Sequence, residues 1–127
     1  MKEGAGHLEY HFLERIRMNI RVPSKKVCKR FHLIYEMKGA QKGVDVLTKY
    51  YRIPKMKIIL NGRRVMRGCD CDYFDNVACF TKKGLNKRNV LHELYHHIAN
   101  NKGMEISEKK EEQEANRFVR EIMRKSW

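Results

Sequence analysis

Long apolar runs are missing from this chain of 127 residues. No stretch approaches the roughly 20 consecutive apolar residues that a membrane-spanning helix needs. The first residues, with Lys2, Glu3, Glu9, Glu14 and Arg15, also lack the apolar core of a secretory signal, so a cytoplasmic protein with no membrane partner is expected. A CxxC pair is absent too. The four cysteines are Cys28, Cys69, Cys71 and Cys79, and Cys69 and Cys71 make only a CxC. That spacing is not diagnostic of a structural zinc, and mostly reduced thiols are expected. Acidic residues are few beside basic ones, 15 against 28, giving a formal net charge of +13. Such a field attracts polyanions and favours acidic peptides. The segments Arg21 to Arg30 and Lys82 to Arg88 are its densest candidates. No helix-turn-helix, RNA-binding or zinc-finger signature accompanies the charge, so nucleic acid is a partner suggested by charge alone.

One short motif is present against this background. His92-Glu93-Leu94-Tyr95-His96 reads HExxH, a pattern that a chain of this composition and length would contain by chance with a frequency of about 0.02. Its surroundings predict a helix: Leu91, Leu94, Tyr95 and Ile98 fall at i, i+3, i+4 and i+7, Gly84 and Asn86 precede them, and Asn100 to Gly103 ends them. On a helix, residues four apart stack on one face, so His92 and His96 present imidazoles to one ion. Zinc at a catalytic site takes three protein ligands and leaves its fourth position to water. Glu93 lies off the ligand line, where it serves as general base toward that water.

The third ligand has few candidates, because no His, Asp or Cys follows His97. This excludes the longer HExxHxxGxxH arrangement and leaves glutamates, most of them in a second helical window from Ser107 to Lys125. Ser107 caps its start, and Ala115, Phe118, Val119, Ile122 and Met123 form its apolar face. If the two helices pack as an antiparallel hairpin, Glu111 and Glu112 both return to the height of His96. Glu114 lies off the inner stripe. Spacing alone leaves Glu111 and Glu112 open.

The segment Glu112-Gln113-Glu114-Ala115-Asn116-Arg117-Phe118 resembles the ExxANxF segment that follows the HExxH helix in ImmA/IrrE-type metallopeptidases. It is similar, more broadly, to the glutamate helix of gluzincins, in which ExxxD supplies a zinc-binding Glu and an acid behind the ligands. The resemblance implies Glu112 as third ligand of one zinc per chain, with Asn116 in the Asp position, holding a ligand histidine without adding charge.

The rest of the chain reads as one α+β domain, 1–127. Helices are expected over about 8 to 20, 24 to 37 and 43 to 51, punctuated by Pro23 and Pro54. Three short strands follow: 55 to 60, 65 to 73 and 77 to 81. An Asn61-Gly62 turn comes after the first and an Asp75-Asn76 turn joins the last two. This order of N-terminal helices, small three-stranded sheet, HExxH helix and C-terminal glutamate helix resembles the compact archaeal minigluzincins over roughly residues 41–124.

The resemblance carries further expectations. The strand before the active-site helix, with Val77, Ala78, Cys79 and Phe80, is expected to form the cleft's rim and to pair with an extended peptide or protein substrate, as an exposed strand edge does. Minigluzincins include self-inhibited forms, so the Ser126-Trp127 tail is a candidate plug for its own cleft or for a neighbour's in a homodimer; the alternative, weighted above it, is that Trp127 packs on the core. Tyr73, Tyr95 and His97 are weighed as oxyanion stabilisers, with Tyr95 expected in the core and His97 at the surface. His7, His11 and His32 are expected to be structural. A zinc endopeptidase is the resulting expectation; the alternative is a basic nucleic-acid-binding protein with a structural or vestigial zinc site.

Overall fold

The computed structural model describes residues 20–60 and 71–126. Nearly all of the expected first helix, together with His7, His11, the Asn61-Gly62 turn, Cys69 and Trp127, falls outside the described residues.

Ser24 starts the first described helix, α1 (Lys25–Lys38), by accepting the Val27 amide on its hydroxyl at 3.4 Å. Gly39, at φ 96°, ends it and donates its amide to the Tyr35 carbonyl at 2.9 Å. Helix α2 (Ala40–Tyr51) begins at once, so the two helices form a tight hairpin. Their closest approach falls at Gly43, where an added Cβ would meet Tyr35 Cβ at 2.9 Å and Cα at 3.0 Å. Gly43→Ala is therefore expected to push the hairpin apart at a cost of about 1–3 kcal/mol, read as a lower urea midpoint.

From α2 the chain turns through Arg52, at φ 57°, into β1 (Lys57–Leu60). The Gln41 amide donates to the Met56 carbonyl at 3.0 Å and accepts the Ile58 amide at 2.8 Å. A side chain of α2 thus reproduces strand pairing and covers the outer edge of β1. Strands β2 (Cys71–Phe74) and β3 (Val77–Phe80) complete a sheet of order β1-β3-β2. Lys57 lies opposite Val77 in the parallel pair, and Cys71 lies opposite Phe80 in the antiparallel pair. Asp75 and Asn76, at φ 50° and 66°, form the tight turn expected between β2 and β3. The Asn61-Gly62 signal predicts a β1–β2 hairpin instead, but β3 lies between those two strands. The inner edge of β1 is already taken by its parallel partner.

Asn86 caps α3 (Lys87–Asn101) through the Asn89 amide at 2.9 Å, and the expected stripe Leu91, Leu94, Tyr95 and Ile98 is fully buried. Ser107 caps α4 (Glu108–Arg124) through the Lys110 amide at 3.2 Å. Helix α4 buries Ala115, Phe118, Val119 and Ile122. Tyr95 and Phe118 meet edge to face, 5.4 Å between ring centres. Full burial of each such large side chain contributes about 1.5–3 kcal/mol, and this seam holds α4 at a fixed height beside α3. No helix among the described residues is long and apolar enough to cross a membrane.

His32 ties α1 to both later helices and, as expected, is structural. Its Nε2–H donates to the Ile122 carbonyl at 2.9 Å, and its Nδ1 accepts from Lys87 Nζ at 3.1 Å. Lys87 also pairs with Glu36 at 2.6 Å. Burial pushes the His32 pKa down; the Ile122 carbonyl opposes that shift and Lys87 adds to it. The unfolded chain takes up this proton near the ordinary value of about 6.5, whereas the folded chain resists to lower pH. The ring's contribution is complete above that value and is lost as pH falls through the folded pKa. The urea midpoint is expected to fall between about pH 7 and about pH 5, and to fall less in His32→Gln, whose amide still donates to Ile122.

Candidate metal centre

Helix α3 stacks His92 over His96, with ring centres 4.9 Å apart and Nε2 atoms 3.3 Å apart. Helix α4 packs antiparallel beside it and brings Glu112 to both: Oε2 lies 3.0 Å from His92 Nε2, and Oε1 lies 3.0 Å from His96 Nε2. These three side chains form a group able to hold a metal ion. The triangle has the right size, because a tetrahedral ion with bonds of about 2.0–2.1 Å separates its ligand atoms by about 3.3 Å.

Glu111 occupies a different place. Its Oε2 accepts a hydrogen bond from Nδ1 of His96, on the far side of the ring from Glu112. This fixes the tautomer and leaves the Nε2 lone pair facing the triangle, the role a carboxylate behind a ligand histidine commonly takes. Asn116, expected in that role, is exposed and shares a pocket with His92 and Arg120 without hydrogen-bonding His92 or His96. The first turns of α4 pass closest to His96, so the carboxylate just before Glu112 reaches a ring that the shorter amide one turn later does not.

Glu93 is only 8 % exposed, and among the described residues it has no hydrogen bond or ion pair. It lines a cleft of about 720 Å³ together with both histidines, Glu111 and Glu112. Tyr73, Phe74 and Asp75 from β2 and its turn form one wall of this cleft, and Asn100 and Glu108 contribute from α3 and α4. Asn100 was legible in principle: it lies one turn beyond His96 on the face that carries His92.

The expected rim changes strand. β3, with Val77, Ala78, Cys79 and Phe80, is the central strand, paired to β1 on one side and β2 on the other. Ala78 and Phe80 are buried in the core. Its backbone groups are committed to the sheet, so an added strand finds no edge there. β2 is the edge strand that lines the cleft.

His97 also departs from expectation: it is fully buried, not superficial. Its Nε2–H donates to the Pro54 carbonyl at 2.6 Å, and its Nδ1 accepts the Tyr73 hydroxyl at 2.8 Å. Burial lowers its pKa, with the Pro54 carbonyl opposing. The ring braces α3 against both the segment before β1 and the cleft wall. The Asn101 amide adds a second brace, donating to Asn76 Oδ1 at 3.0 Å. Tyr73 faces the cleft with its hydroxyl committed to His97. Tyr95 is in the core as expected; its hydroxyl has no partner among the described residues, and burial pushes its pKa up to about 12. Cys28 and Cys79 are free thiols, and the metal-holding group includes no cysteine among the described residues.

Compared with protein-family models, curated proteins and solved structures, the chain matches none of them.

Proposed function

We propose that this chain is a zinc-dependent endopeptidase, in which His92, His96 and Glu112 hold one zinc ion and Glu93 is the general base. One observation carries the reading: four side-chain atoms of His92, His96 and Glu112 lie at zinc-sized separations in a cleft, and Glu93, 8 % exposed and without a hydrogen bond or ion pair among the described residues, lines the same cleft. When bound, the ion supplies Lewis acidity, polarising the scissile carbonyl and lowering the pKa of a coordinated water toward about 7.

The chain's own residues do the rest. Glu93, with no partner among the described residues to compete, accepts the proton of the attacking water and returns it to the departing amine. Glu111 orients His96. An extended substrate lies along β2, the edge strand of the cleft wall, beside the exposed Phe74. Removing the metal with a chelator is expected to abolish cleavage of an unfolded protein, and added zinc to restore it. Cleavage indifferent to chelation would contradict the reading.

A separate feature supports the second reading, nucleic-acid binding. Arg30 of α1 and Lys42 and Lys49 of α2 outnumber one carboxylate, Asp45, along a groove of about 350 Å³ beside Tyr50, cations and an aromatic ring of the kind that grips a phosphate backbone. Salt-dependent binding of duplex DNA that is lost in Arg30→Glu/Lys42→Glu/Lys49→Glu and unchanged in Glu93→Gln would favour it.

A further inference from the structure

The charge of the cleft has the opposite sign to that of the whole chain. With a formal net charge of +13, the chain as a whole favours acidic ligands. Yet among the described residues the cleft is lined by Asp75, Glu93, Glu108, Glu111 and Glu112, with no Lys or Arg beside them. A divalent ion would offset Glu112 and Glu93. Asp75, Glu108 and Glu111 then remain, and among the described residues only Glu111 has a partner there, the Nδ1–H of His96. Asp75 and Glu108 are exposed on opposite walls, one at the β2–β3 turn and one in the first turn of α4.

Acidic side chains alone would be an ordinary solvated rim. Two independent features mark this cleft as a ligand site: the His92, His96 and Glu112 group able to hold a metal ion, and Glu93, 8 % exposed, lining it with no hydrogen bond or ion pair among the described residues. Low-dielectric walls around one sign of charge concentrate the field inside a cleft, so the local sign, not the net charge, selects what enters.

We infer that the cleft selects peptides carrying Lys or Arg beside the scissile bond, with Asp75 and Glu108 as the carboxylates that receive them. This rests on the peptidase reading and names its substrate class. Phe74, 78 % exposed next to Asp75, offers an apolar surface to the stem of such a side chain.

The test measures binding on the zinc-loaded Glu93→Gln protein. Two fluorescein-labelled alanine-based peptides, one rich in lysine and one rich in glutamate, are compared by anisotropy at low and high salt. The lysine peptide is expected to bind roughly tenfold more tightly, the sum of two exposed ion pairs, and to lose that advantage as salt rises. Asp75→Lys/Glu108→Lys is expected to abolish or invert the preference, while Glu36→Lys on α1 leaves it intact. Each single reversal is measured too, so misfolding of the double variant does not decide the outcome. Equal binding, tighter binding of the glutamate peptide, no binding of either, or a preference that survives the Asp75 and Glu108 reversals would each overturn the inference. Zinc content and cleavage of an unfolded protein by the wild type, measured in parallel, report separately on the peptidase reading.

Discussion

Glu93→Gln is expected to keep its zinc and its fold while losing peptide hydrolysis by roughly a hundred- to ten-thousand-fold, the usual worth of a positioned general base. The substitution is close to isosteric. It also breaks nothing in the protein, because Glu93 makes no hydrogen bond or ion pair among the described residues. The check is kcat/KM on an internally quenched peptide together with zinc content. Retained hydrolysis would remove Glu93 from the mechanism, whatever the metal content.

The second large effect separates two neighbouring glutamates. Glu112→Ala removes one corner of the ligand triangle and is expected to lose zinc affinity outright. Glu111→Gln keeps the triangle and disturbs only the hydrogen bond behind His96, so a loss of about 10–100-fold is expected. Both side chains lie on the accessible flank of α4, 49 % and 26 % exposed, and neither change reaches the core. Competition against a chromophoric chelator measures both affinities on one scale. Equal losses, or a greater loss for Glu111→Gln, would exchange the roles assigned here.

The helical part of the fold was legible because its signals are local. Ser24, Asn86 and Ser107 each make the cap their identity suggests, and the Leu91, Leu94, Tyr95, Ile98 stripe is buried as its spacing requires. The Asp75-Asn76 turn was legible for the same reason. Strand order was not, since parallel pairing of β1 with β3 depends on contacts far apart in sequence. The Asn61-Gly62 signal pointed to a different neighbour. The rim expected on β3 came from the resemblance, and the central place of β3 in the sheet leaves β2 as the edge strand at the cleft.

At the site, HExxH fixed which residues share a helix face, and the ExxANxF resemblance chose Glu112 where spacing left Glu111 open. Periodicity does not reveal the far nitrogen of a ring, so the bond from His96 Nδ1 to Glu111 was missed. His97 was misplaced on similar grounds. Adjacency to a ligand suggested solvent, but the interior beneath α3 supplies Pro54 and Tyr73 as partners for both ring nitrogens. The sign of charge in the cleft was invisible to composition, because it depends on which carboxylates the turn and two helices bring together.

X-ray absorption at the zinc edge of the loaded protein tests the central claim most directly. The account predicts a shell of nitrogen and oxygen alone at about 2.0–2.1 Å, with the outer scattering of two imidazoles and no sulfur. A sulfur contribution at about 2.3 Å, or scattering from fewer than two imidazoles, would place the ion on other residues and contradict the account.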